Sequence, residues 1–371
     1  MKRNMHIHLN DPRNGEKLKL YSDGEANDKV EQGLLEAPDG YCYPVVGGVP
    51  RFLSGFYKED EITKDVIASQ DGRLTSIHDE EVKATRGTFS DKWTRFKNYG
   101  FEEKHREFLL GWYVKKLGLD SVDQLKDFYV SQERILEVGP GSGFNTRFMA
   151  EQTGGTVMAA DLSEAAITTY ENTRDLDNVF VVQADLMELP FPDEYFTFII
   201  ADGVLHHTPS TKRGVERLYG KLAPGGSFFF YVYKKMGPVR EFCDAYIREQ
   251  FVKLTTEECY KACEPLTDLG RELSRLNAKI TLDKPIDILG IPAGTHDVQR
   301  LFYYSIAKCF WNEAFDYETN NMVNYDWYHP HFAWKHTEQE IAGWLEELGC
   351  KEYKFNDANP NGISVLLKKP R

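Results

Sequence analysis

Arg134-Ile135-Leu136-Glu137-Val138 runs without a break into Gly139-Pro140-Gly141-Ser142-Gly143. The first five residues make a short apolar strand, and the glycines after it mark a turn rather than the interior of a helix or strand. Glycines placed there let the backbone approach a ligand, and the N-terminus of the helix that follows presents free amides. A dinucleotide fingerprint needs its third glycine at the sixth position, which here is Phe144, so a nicotinamide cofactor is disfavoured. The spacing found is Glu-x-Gly-x-Gly-x-Gly, from Glu137 to Gly143.

Downstream, four more apolar runs read as strands: Thr156–Asp161, Val179–Asp185, Tyr195–Asp202 and Gly226–Tyr233. Helical segments separate them, as the repeating units of a mainly parallel, doubly wound α/β sheet require. Asp161 ends the second strand, where a ribose with both hydroxyls free would lie. Asp185 ends the third, where an adenine amine could donate a hydrogen bond. Either acid alone is more often a helix cap than a ligand. Three such features in order, each at the C-terminal end of a strand, favour a ligand.

The flanking regions read differently. Residues 1–56 look like a small separate unit of short strands and tight turns, ending in Tyr43-Pro44-Val45-Val46-Gly47-Gly48-Val49-Pro50. Residues 57–130 read mostly as helix, with Phe108, Leu109, Trp112, Tyr113 and Leu117 at helical spacing. Within them, the aromatic cluster around Trp93 reads equally as a pinned surface segment or as a lid over a pocket. The core unit spans 131–234. Residues 235–335 form a helical, aromatic-rich insertion that includes Tyr303, Tyr304, Trp327 and Tyr328, and these rings serve a substrate pocket, a helical core, or both. Residues 336–371 resume the sheet with a helix opened by a Thr337–Glu340 capping box, then two strands.

Lys plus Arg total 45 and Asp plus Glu 58, a formal net charge of −13, which argues against binding nucleic acid through its phosphates. No run approaches the roughly 20 apolar residues of a membrane-spanning helix. Six scattered cysteines and the lack of an apolar leader suggest a cytoplasmic protein. Cys259 and Cys263 read as buried thiols. Only Cys42 lies in the first 56 residues, so no metal site is expected there or elsewhere. Oligomeric state is not legible.

Residues 131–234 resemble the core of a class I S-adenosylmethionine-dependent methyltransferase, and 336–371 resemble its closing unit. The resemblance rests on Ile135–Gly143, Asp161-Leu162-Ser163, Ala184-Asp185-Leu186 with Leu189-Pro190-Phe191, Leu205-His206-His207, and Leu222-Ala223-Pro224-Gly225-Gly226. One departure is Thr197, where the family commonly has Asp. The N-terminal segment is similar to a zinc-ribbon-like domain without its ligand pairs. The resemblance implies a Rossmann-like seven-stranded sheet with S-adenosylmethionine as cofactor. Gly139, Pro140, Gly141, Ser142 and Gly143 would hold its methionine moiety, with Glu137 ordering the loop. Asp161 and Leu162 would meet the ribose, Asp185 and Leu186 the adenine, and Asp202 would border the reactive methyl. His206 and His207 are candidate bases, or residues that pack the loop. Trp93, Tyr303, Tyr304, Trp327 and Tyr328 are the candidate substrate contacts. The expected reaction is methyl transfer to a small molecule, such as a biosynthetic metabolite, with the insertion as lid. Two alternatives are transfer or cyclisation of the aminocarboxypropyl arm, and a non-enzymatic cofactor-binding scaffold.

Overall fold

Apolar strands buried on both faces need neighbours on both edges, and the five runs between 134 and 234 satisfy one another in a single sheet. The computed structural model describes residues 1–22, 28–53, 55–57, 80–356 and 360–371. The chain begins with antiparallel strands β1 (Lys19–Ser22), β2 (Gln32–Glu36), β3 (Tyr41–Val46), β4 (Val49–Pro50) and β5 (Phe56–Tyr57). Helices α1 (Glu80–Arg95), α2 (Glu103–Leu117) and α3 (Val122–Val130) follow. The helical reading of 58–79 lies outside the described residues. The alternating unit then comprises β6 (Arg134–Val138), α4 (Phe144–Gln152), β7 (Thr156–Asp161), α5 (Ala165–Thr173), β8 (Val179–Gln183), β9 (Phe196–Asp202), α6 (Thr211–Lys221) and β10 (Leu222–Lys234).

These five strands are parallel and lie in the order β10-β9-β6-β7-β8. The chain therefore winds outward one way from β6 and the other way from β9, and ligand crevices open at such a reversal, beyond the strands' C-terminal ends. Thr197 ties the start of β6 to β9: its hydroxyl accepts from the Glu133 and Arg134 amides at 3.2 Å.

After β10 come α7 (Pro238–Phe251), α8 (Thr256–Arg275), the hairpin β11 (Lys279–Leu282) and β12 (Gly294–Asp297), α9 (Val298–Ser305) and α10 (Tyr317–Tyr328). The sheet is completed by β13 (Lys335–His336), α11 (Glu338–Glu347), β14 (Glu352–Asn356) and β15 (Gly362–Lys368). Thr337 and Glu340 form the capping box of α11. β15 joins β10 antiparallel and β14 joins β15. The sheet has eight strands rather than seven, because the two-residue β13 also pairs with β10, parallel to it. So short a strand carries no periodicity from which to read it.

The N-terminal strands do not keep a core of their own. Met5, Leu9, Leu35 and Val45 share one apolar cluster with Met158, Val182 and Phe230. Arg51 pairs in parallel with Gln183 of β8, and the Phe52 amide donates to the Gln183 carbonyl at 2.8 Å. The segment thus covers an edge that would otherwise leave backbone groups unpaired. Alternating apolar residues look alike whether they face their own sheet or a neighbour, which is why the sequence suggested a separate unit.

Candidate active site

The loops after β6, β7, β8 and β9, together with α1, α2 and the 235–335 insertion, enclose a cavity of about 840 Å³. Gly139 adopts φ +67°, and a Cβ there would sit 2.3 Å from Cγ2 of Val204 in the loop after β9. Glycine is what lets the two loops meet at the reversal point. At Gly141 (φ +60°) a Cβ would lie 2.6 Å from the Trp93 ring. Gly139, Pro140 and Ser142 line the cavity. Gly141 and Gly143 do not: the first lies against Trp93 and the second is the N-cap residue of α4.

Glu137 is buried, and its carboxylate accepts from Asn145 Nδ2 at 2.8 Å and from the Thr146 hydroxyl. It fastens the first turn of α4 to β6 and so aims the helix's free amides at the loop. Burial raises its pKa to about 7, against the pull of those two bonds. Asp161 Oδ1 accepts from the Ser163 amide and hydroxyl, each at 2.7 Å. Burial raises this carboxyl to about 6, with the bonds from Ser163 and from the Gly141 amide opposing. Asp185 Oδ1 accepts from the Met187 amide at 2.9 Å, and burial raises its pKa as well. Asp161, Leu162, Asp185 and Leu186 all line the cavity.

Asp202 lines the cavity too, but it is already paired. Lys116 Nζ donates to its two oxygens at 2.6 and 2.8 Å, and that ammonium lies 3.7 Å over the Trp112 ring and 4.3 Å over Tyr231. Burial pushes the Lys116 pKa down, and Asp202 pushes it back up.

The two histidines separate. His206 is fully buried outside the cavity lining, its ring 3.7 Å from that of Tyr233, with neither nitrogen hydrogen-bonded. Burial, with His207 and His336 adding, holds its pKa well below the usual range. The expectation that it acts as a base is therefore corrected: it packs the loop. His207 does line the cavity, and its Nδ1 donates to the Phe332 carbonyl at 2.7 Å. That bond places the lone pair of the neutral ring on Nε2. Burial lowers its pKa to about 4.

Of the predicted substrate contacts, Trp93, Tyr303, Tyr304 and Trp327 line the cavity. Tyr328 does not, and this corrects its assignment. Its hydroxyl donates to Asp244 Oδ1 at 3.2 Å and to the Lys308 carbonyl at 3.0 Å. Asp244 is the centre of a buried network: Arg240 Nε meets it at 2.9 Å, Lys335 Nζ at 3.1 Å and Trp327 Nε1 at 2.9 Å. The sequence reading missed Lys92, Lys116, Lys308 and Asp326, which also line the cavity. Lys116 had a sign, lying four residues after Trp112 on one helix face. The others had none, since Asp326 meets Lys92 across distant helices at 3.0 Å.

A family model described as a methyltransferase domain matches residues 136–230. Over 122 residues the chain is 30% identical to the ubiquinone/menaquinone biosynthesis C-methyltransferase UbiE of Vibrio campbellii, and 31% identical to that of Photorhabdus laumondii. Each match covers 31% of this chain, and 47% and 49% of those proteins, so the chain spans about half the length of these relatives. A solved S-adenosylmethionine-dependent methyltransferase from Aquifex aeolicus is 15% identical, with 69% of this chain and 92% of that one covered and a TM-score of 0.38. The family match falls on the strands and loops that form the cavity's floor, from β6 into β10, so it is this part of the chain that is similar to a methyltransferase domain.

Proposed function

We propose that the protein uses S-adenosylmethionine to methylate a small molecule held beneath the 235–335 insertion. The observation that carries this reading is one cavity with two unlike walls, the glycine loop with Asp161 and Asp185 on one side and the rings of the insertion on the other. The residues suit the cofactor. A carboxylate has about four acceptor positions, so Asp161 keeps capacity for ribose hydroxyls beyond its bonds to Ser163. Asp185 spends Oδ1 on Met187 and has Oδ2 left for an adenine amine.

When bound, the cofactor would supply a sulfonium methyl for in-line attack by an acceptor, with S-adenosylhomocysteine leaving as the neutral thioether. The chain's contribution is chiefly placement, because holding the two reactants in line supplies much of the rate. Trp112, Tyr231 and Trp327 wall the acceptor side and exclude water. His207, neutral at pH 7, offers Nε2 as a hydrogen-bond acceptor rather than as a strong base. The Lys116–Asp202 pair fixes a charged contact at the junction of the two walls.

The test needs no named acceptor. Protein, cofactor and a cell extract are incubated, and S-adenosylhomocysteine and methylthioadenosine are quantified by mass spectrometry. Methyl transfer predicts that only the first rises above an Asp161→Ala control. Methylthioadenosine would indicate transfer of the aminocarboxypropyl arm, and neither product would indicate a scaffold.

A further inference from the structure

Lys308 lies between α9 and α10, is 5% exposed and lines the cavity. Its ammonium sits 4.0 Å over the Trp327 ring and, among the described residues, has no hydrogen-bond or ion-pair partner. Two carboxylates act on it through space, Asp326 and Asp244, but neither pairs with it, although Asp326 Oδ1 has no hydrogen-bond partner among the described residues. Asp326 Oδ2 meets Lys92, while Asp244 is shared between Arg240 and Lys335. Arg240 and Lys92 oppose the lysine's charge, and burial opposes it more, so its pKa is lowered to about 7. Lys335 has Glu241 as a further partner at 3.1 Å, so among the described residues Lys308 is the cation of this group that makes no ion pair. An unpaired buried charge is costly, and the open side of this one faces the cavity.

The walls around it are aromatic. Trp327, Tyr303, Tyr304 and Phe310 also line the cavity, the Tyr303 ring centroid 4.9 Å from that of Tyr304 and 5.9 Å from that of Phe310. The Trp327 ring lies 4.1 Å from that of Tyr233, at the end of β10. In the sheet order β10 is two strands from β6 and its glycine loop, on the order of 10 Å at ordinary strand spacing.

We infer that Lys308 recognises a carboxylate on an aromatic acceptor, the anion entering as the missing counter-ion while the rings of the insertion receive the body of the molecule. The inference rests on the reading of this cavity as an acceptor site. A carboxylate could also come from the cofactor's own amino-acid arm, and the experiment separates the two sources.

The probes are phenylacetate and its neutral isostere phenylacetamide, titrated in ligand-observed NMR against full-length protein saturated with S-adenosylhomocysteine. The expected result is at least a tenfold preference for phenylacetate, falling to within twofold in Lys308→Met. Lys308→Arg keeps the charge but cannot release a proton, so it should retain the preference. If Lys308 served as a base instead, the wild type would not distinguish the probes by charge. Calorimetry of S-adenosylhomocysteine binding to Lys308→Met is the second arm, and unchanged affinity also shows that the variant is folded. A tenfold loss there, with circular dichroism unchanged, assigns Lys308 to the cofactor's carboxylate and overturns the inference. Equal affinity of the probes for wild type, no binding of either, or a preference that survives Lys308→Met overturns it as well. Failure of wild type to bind S-adenosylhomocysteine at all would instead overturn the functional reading beneath it.

Discussion

Along β6, β7 and β8 the cavity wall is made by residues at or just past the ends of their own strands, Gly139, Asp161 and Asp185. Beneath the insertion it is made by side chains that α1, α2, α10 and the stretch around Lys308 bring together from far apart in the chain. The first wall is positioned by backbone pairing and by glycines that admit close approach. The second is positioned by ion pairs, Lys92 with Asp326 and Arg240 with Asp244, and by rings in close contact. The difference teaches that the sheet can present one ligand in a constant way while a side-chain network beside it holds another of independent shape.

If that division is real, damage to one wall should spare the other. Asp244→Ala should have the largest effect, because it leaves Arg240 and Lys335 buried without their shared acid. The expected cost is about 3–5 kcal/mol of stability, read from urea midpoints. A cost below about 1 kcal/mol would show that the network does not hold the insertion. Next, Asp161→Ala should weaken S-adenosylhomocysteine at least about tenfold in calorimetry, since hydrogen bonds to a charged group contribute about 1.5–3 kcal/mol each. Its thermal midpoint should fall modestly, because the Ser163 amide and hydroxyl lose a buried acceptor, and unchanged affinity in a folded variant would remove Asp161 from the site.

Acidity should act on the same wall. Asp161 titrates at about 6, raised by burial, and the carboxylate is the form that accepts from ribose hydroxyls. Affinity for S-adenosylhomocysteine should therefore be full above that pH and fall below it, approaching about tenfold per unit where only the ionised form binds. A flat profile from pH 8 to pH 5 would contradict this assignment. The smallest effect is expected at His206. Since neither nitrogen is hydrogen-bonded, His206→Phe should change stability by less than about 1 kcal/mol and leave turnover intact. Loss of turnover in a stable His206→Phe variant would return that residue to the chemistry.

The unequal legibility of the two walls follows from how they are built. Glu137 to Gly143, Asp161 and Asp185 could be read because each function is tied to a strand end, and strand ends are visible in the alternation of apolar runs and turns. The helical insertion was legible as a region, yet Tyr328 and Trp327 are adjacent on α10 and only Trp327 reaches the cavity. Helix rotation decides that, and the polar residues of α10 such as Asn320, Asn321 and Asn324 are themselves buried, so polarity marks no solvent face from which to infer it. Lys92 and Asp326 were invisible for another reason: a charge on a helix reads as solvated until its partner on a distant helix is known. The N-terminal strands erred oppositely, since their apolar faces were clear but the neighbour they pack against was not.

The two-residue strand β13 has a wider consequence. Its register sets Tyr233 beside Lys335 and Lys234 beside His336, so the chain leaves the sheet and returns to it at neighbouring positions, roughly 5 Å apart. A segment whose ends meet can be lengthened, shortened or replaced without disturbing a strand pairing of the central sheet. The cost of such a change would fall on the apolar seam beneath the 235–335 insertion rather than on the sheet.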